Sequence, residues 1–137
     1  MRNLDKTALP TSVHLALLWA ALMGLYIYND YYMLYMPGTL DNMASGTMGP
    51  LGPATDGVMV GVALLLAIPA LMIYLSVGLP AVVSKWLNVF FGAAYTAVEV
   101  MTFMGSHLFY QMVVVFEIIV TLLIVLKALR WPKADAA

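Results

Sequence analysis

The chain has 137 residues, 64% of them hydrophobic and 9% charged, with seven acidic against six basic residues for a formal net charge of −1. A soluble domain of this size would not stay in solution with so few charges, and near-neutral charge without a Lys/Arg cluster leaves no surface for nucleic acid. With no cysteine at all, disulfides, thiolate metal sites and thiol nucleophiles are excluded as well; the remaining class is an integral membrane protein whose first partner is the lipid bilayer.

Residues 1–10 carry Arg2 and Lys6 ahead of an apolar run. The arrangement resembles a signal peptide, but the run is too long and lacks a small-residue cleavage site. Windows of roughly 20 residues, the length of helix that crosses hydrocarbon, predict four spans at about 12–35, 56–79, 84–104 and 107–130. The expected fold is therefore all-α, a single four-helix membrane bundle over residues 1–137. Ser12 is expected to cap the first span and Pro37-Gly38 to end it. A Gly/Pro-rich loop over about 37–55 follows, a lid or a connector, whose Gly49-Pro50 and Gly52-Pro53 steps are expected to forbid regular helix. Thr55 or Asp56 can cap the second span, Gly78 with Pro80 ends it, and Ser84 and Ser106 are expected to open the third and fourth. Inside the second span, Pro69 removes the hydrogen bond to the Leu65 carbonyl and should turn that oxygen towards the bundle interior at a kink. Ala20-x-x-x-Gly24 and Gly57-x-x-x-Gly61 predict close helix approach, within the bundle or between protomers of a homo-oligomer.

All six Lys and Arg residues, at positions 2, 6, 85, 127, 130 and 133, fall on one predicted side. The positive-inside rule then places both termini in the cytoplasm, and puts the 37–55 loop and the Gly105-Ser106-His107 turn outside. So strong a bias favours one orientation over the antiparallel dual-topology dimers of small multidrug exporters.

Three acidic residues inside the spans carry the chemical expectation: Asp30, Glu99 and Glu117, with no Lys or Arg at comparable depth. An ionised carboxylate at mid-helix costs roughly 3 kcal/mol on insertion scales, so such groups turn inward, take up a proton or bind a cation. On the third span Gly92, Tyr95, Thr96, Glu99 and Thr102 recur on one helical face. On the fourth, Tyr110, Glu117 and Thr121 share a stripe, and on the first Tyr26, Asn29 and Asp30 cluster near the outer end. Together these residues predict an outward-opening polar pocket handling a proton or cation, linked to movement of a small solute; the competing structural reading is hydrogen-bonded glue between helices. Methionines crowd the outer half, and Met101 and Met104 with His107 at the next helical step have the spacing of a soft-metal site for Cu(I), although Met also fills irregular helix contacts with no ligand role. His107 is otherwise a solvated interface histidine or a pH-sensitive gate. Nothing resembles a Ser-His-Asp arrangement, a zincin helix or a phosphate loop, so an enzyme is not the expectation.

The segments Tyr28-Asn29-Asp30-Tyr31, Met48-Gly49-Pro50-Leu51-Gly52-Pro53, Ala67-Ile68-Pro69-Ala70-Leu71-Met72 and the final helix from Glu117 to Trp131-Pro132 resemble a family of small, uncharacterised bacterial four-helix membrane proteins. That resemblance spans almost the whole chain and implies the bacterial inner membrane, with no activity or cofactor to carry over. A looser similarity, of architecture alone, is to DoxX-like membrane proteins, some of them linked with quinone-dependent oxidation. It implies an alternative function as a quinone-binding or redox accessory protein. A non-catalytic assembly subunit is the third reading, favoured by the small size, since four short helices enclose little room unless the chain oligomerises.

Overall fold

Hydrocarbon offers no hydrogen bonds, so a chain can cross it as helix only if each backbone N–H and C=O is satisfied within the helix. The computed structural model describes residues 8–133. Its helices are α1 (Thr11–Met33), α2 (Thr39–Ala44), α3 (Asp56–Gly78), α4 (Ala81–Phe103) and α5 (Leu108–Leu129), with a 3-10 turn at Gly49–Leu51. Except for the short α2, the helices have 22 or 23 residues, about 33–35 Å at 1.5 Å per residue. That exceeds the ~30 Å hydrocarbon thickness, and all four are apolar enough to cross a membrane. Four apolar helices of this length fit an integral membrane protein.

Helix starts differ from expectation where proline outranks serine. α1 begins behind Pro10 and α4 behind Pro80, because proline enters a helix without wasting a donor. Ser84 consequently lies inside α4, where its hydroxyl donates to the Ser76 carbonyl at 2.9 Å. Ser106 does not open α5 either, since His107 is the cap residue and Ser106 Oγ donates back to the Phe103 carbonyl at 3.0 Å. Thr55 does cap α3, accepting from the Val58 N–H at 3.3 Å.

The 37–55 loop contains more helix than expected. Gly38 adopts φ +82°, a left-handed turn from which α2 starts at the next residue, and the Gly-Pro steps act only beyond α2. The rest folds on itself through Met48 N–H to Gly52 O at 2.7 Å and Ala54 N–H to Gly46 O at 2.8 Å. No α2 side chain is buried.

α1 packs against both α3 and α5, and α4 lies along α5, with a thinner seam between α3 and α4. The interior is polar to an extent a water-soluble bundle would not tolerate: seven polar side chains are buried beside nine apolar ones among the described residues. Leu17, Ile27, Leu64, Leu71, Phe90 and Phe116 face outward. Lipid tails solvate leucine as well as a protein core does, whereas polar groups have nowhere to go but inward.

One inner network ties three helices near the chain ends. Asn88 Oδ1 accepts from Trp19 Nε1 at 2.7 Å and from Ser76 Oγ at 3.1 Å, while its Nδ2 donates to the Ser84 carbonyl at 2.8 Å. Every polar atom of Asn88 has a partner, and Trp19, Ser76, Ser84 and Asn88 are all fully buried.

Within the bundle, close helix approach occurs at Gly92 and not at the glycines of the small-residue pairs. A Cβ on Gly24, Gly57 or Gly61 would meet nothing within 4 Å, whereas one on Gly92 would lie 2.8 Å from Val125 Cγ2 and 3.2 Å from Ile124 Cγ2. Those methyls belong to β-branched residues that turn poorly in a helix. Gly92→Ala should therefore cost about 1–3 kcal/mol against unfolding in detergent, while Gly61→Ala should be neutral or slightly stabilising; equal stabilities for the two variants would contradict this packing.

Candidate functional site: a buried carboxyl cluster

Side chains on a helix lean towards its N-terminus. α4 runs towards the α1–α3 loop and α5 runs away from it, so Glu99 leans deeper into the bundle and Glu117 leans out towards the loop. Counted along the chain the two lie at different depths; the lean brings their carboxyl groups into one cluster with α1. Glu99 is 2% exposed and Glu117 3%, so the expected outward-opening pocket is here a closed polar cluster.

Glu99 receives a donor at each oxygen: Tyr26 Oη to Oε1 at 2.6 Å and Thr121 Oγ1 to Oε2 at 2.8 Å. Thr121 is a branch point. Its hydroxyl also lies 2.9 Å from Thr96 Oγ1 and 3.1 Å from the carbonyls of Glu117 and Ile118. With one proton to place, Thr121 can donate to Glu99 while accepting from Thr96. Alternatively it can turn to its own helix carbonyl and accept from a protonated Glu99. The same atoms thus serve both states of the carboxyl group.

Glu117 is held more loosely. Asn29 Nδ2 donates to its Oε1 at 3.4 Å, a long contact. Asn29 itself is 2% exposed, and its Oδ1 has no partner at all. A buried amide oxygen left unpaired costs about 1–3 kcal/mol, and this one lies beside a carboxyl group without a counter-charge. The described Lys and Arg residues, at positions 85, 127, 130 and 133, lie at the opposite end of the bundle.

Of the residues expected at the site, Tyr26, Asn29, Thr96, Glu99, Glu117 and Thr121 meet in the cluster. Asp30 is exposed on α1 one residue beyond Asn29, at the rim of the cluster, where its charge still reaches Glu117 and Tyr110. Tyr110 is half-buried and meets Phe109 edge-on at 6.3 Å. Thr102 is exposed and bonds the Glu99 carbonyl of its own helix at 3.0 Å. Tyr95 turns away from the carboxyls and donates to the Leu65 carbonyl, the oxygen that Pro69 frees, while its ring meets Trp19 edge-on at 5.9 Å. The soft-metal arrangement is not formed: α4 ends at Phe103, so Met104 and His107 do not continue its face, Met101 and Met104 are 68% and 80% exposed, and His107 stacks on Phe109. Among the described residues no group of three or more His, Asp or Glu side chains is placed to hold a metal ion.

Trp19, Ser76, Ser84 and Asn88, the inner network, were not among the expected polar residues. Their signal was present: Ser84 and Asn88 extend the stripe of Gly92, Tyr95 and Glu99 down α4 at helical spacing.

Residues 10–137 match the family described as a family of unknown function (DUF6326), and the chain belongs to that family. No curated protein and no solved structure matches the chain, and the likeness to DoxX-like proteins is not shown.

The Tyr95 contact is separable from the cluster. Tyr95→Phe should leave the Leu65 carbonyl unpaired and cost about 0.6–1.7 kcal/mol, the range for hydrogen bonds between membrane helices, measured as thermal stability in detergent; no loss would mean that the carbonyl finds another donor.

Proposed function

For this member of a family without an assigned activity, we propose a small membrane protein that exchanges a proton or a small cation at Glu99 and Glu117, linked to movement of a small solute. The observation that carries this reading is the uneven satisfaction of the cluster. Glu99 is fully hydrogen-bonded by hydroxyls that can reverse direction, whereas Glu117 has one long contact and sits beside the unpaired Asn29 Oδ1. Structural glue alone gives no reason to bury an unpaired acceptor next to a carboxyl group without a counter-charge. A cation or a water molecule at the Asn29 Oδ1 supplies what that oxygen lacks.

In this reading the single-domain bundle lies in the bacterial inner membrane with both ends in the cytoplasm. Lys85, Lys127, Arg130 and Lys133 share one end, and Arg2 and Lys6, which lie outside the described residues, belong to the same side by sequence. The carboxyl cluster then belongs to the outer half. Asp30 is exposed at that level and serves as an entry group, with the folded 37–55 loop nearby. The interior of one chain is small, so a homo-oligomer completes the solute path.

Infrared difference spectroscopy of the protein in nanodiscs tests the site, with Glu99→Gln and Glu117→Gln assigning the carboxyl C=O bands. The Glu117 band should respond to pH and to added cations, and Glu117→Gln should reduce proton or cation uptake into proteoliposomes to the level of empty vesicles, with Asp30→Asn causing a smaller loss. Carboxyl bands indifferent to pH and cations, with uptake unchanged in all three variants, would reduce the cluster to interhelical glue.

A further inference from the structure

At the opposite end of the bundle, two adjoining cavities open on the face between α1 and α5. One, of about 270 Å³, is lined by His14, Leu17, Leu18, Leu123 and Lys127. The other, of about 280 Å³, shares Leu123 and Lys127 and adds Arg130 at its mouth. Leucines wall the part nearer the membrane centre, and the cations gather where the helices end. Among the described residues no acidic side chain lines either cavity; those present lie at positions 30, 41, 56, 99 and 117, towards the other end. In the wall, His14 Nδ1 is buried without a hydrogen-bond partner.

We infer that this groove holds an anionic phospholipid, its phosphate between Lys127 and Arg130 and an acyl chain against Leu17, Leu18 and Leu123. Charge complementarity selects the occupant. Two cations over an apolar throat match a headgroup that is negative at the polar end and greasy beyond it, and basic recesses between membrane helices take such headgroups. A free anion would use the cations and leave the leucine walls idle; a neutral acyl chain would do the reverse. His14 lines the wall of the first cavity and brings a ring N–H donor near the two cations. Lys127 also lies in the last turn of α5, where any cation favours the helix dipole. That role needs neither the cavity nor His14, and it does not discriminate between lipids.

The test uses the full chain in vesicles of mixed phosphatidylglycerol and phosphatidylcholine, released into the gas phase for native mass spectrometry. Retained phosphatidylglycerol, in preference to phosphatidylcholine, is the expected result. Lys127→Gln with Arg130→Gln should weaken that retention roughly 30-fold, from about 1 kcal/mol per cation near a membrane surface. Leu123→Trp, which fills the apolar throat and keeps both cations, should weaken it too, whereas Lys85→Gln, at the same end but outside the groove, should leave it unchanged. Equal retention of both lipids, undiminished retention in the double variant or in Leu123→Trp, or displacement by inorganic phosphate alone would each overturn the assignment. None of these outcomes depends on whether Glu99 and Glu117 carry a proton or cation.

Discussion

A bilayer core supplies no hydrogen bonds, and the rest of this structure follows from where the chain puts the polar groups it nevertheless carries. α4 is the clearest case. Its buried residues are Ser84, Asn88, Gly92, Tyr95 and Glu99, a polar stripe from one end to the other, while Phe90, Val100 and Met101 face out. The helix is amphipathic in the inverted sense, and α1, α3 and α5 assemble around its polar side because each brings a partner that lipid cannot provide. Gly92 sits midway in that stripe, where α5 comes closest.

Along this axis the two polar networks differ in completeness, and the proposed function rests on that difference. Around Asn88, every side-chain polar atom of the amide has a partner from α1, α3 or α4, and the one shared proton is that of Ser76, whose hydroxyl lies 2.7 Å from its own-helix Met72 carbonyl and 3.1 Å from Asn88 Oδ1. Such a network fixes register between helices and has no vacancy for a ligand. Around Glu99 and Glu117 the hydroxyls have more acceptors than protons, and Asn29 has an acceptor with no donor. A network with alternatives can change state, which is what a proton- or cation-exchanging site needs. Tyr95 lies between the two, its ring edge-on against Trp19 of the Asn88 network and its hydroxyl bonding the carbonyl that Pro69 exposes.

The carboxyl end and the basic end also suit different surroundings. Neutral hydroxyls and amides surround the acids, where any cation bound would have little competition from Lys or Arg. The cations collect at the far end near the headgroup region, where anionic lipid is the natural counter-charge. This separation allows the two proposed sites to act independently.

Length and hydropathy alone determined the class of the molecule and its four spans, because the bilayer imposes both a minimum helix length and an apolar surface. Helical periodicity likewise brought most of the cluster into view before any coordinates, since residues three and four apart must share a face; it could have gone further, as Ser84 and Asn88 continue the same stripe. The chain also revealed that Pro69 frees the Leu65 carbonyl, but not that Tyr95 would claim it, because a hydroxyl chooses among partners by distance and distance is not periodic. Asn29 and Asp30 were equally eligible to face inward from the sequence. They differ by about 100° around α1, and only packing against α5 decided that the amide is buried and the acid exposed. Tertiary structure alone brought Glu99 and Glu117 into one cluster, Glu99 through Tyr26 and Thr121 and Glu117 through Asn29. It also moved close helix contact within the bundle from the glycines of the obvious small-residue pairs to Gly92, because which faces meet is settled by the whole set of polar groups seeking partners at once.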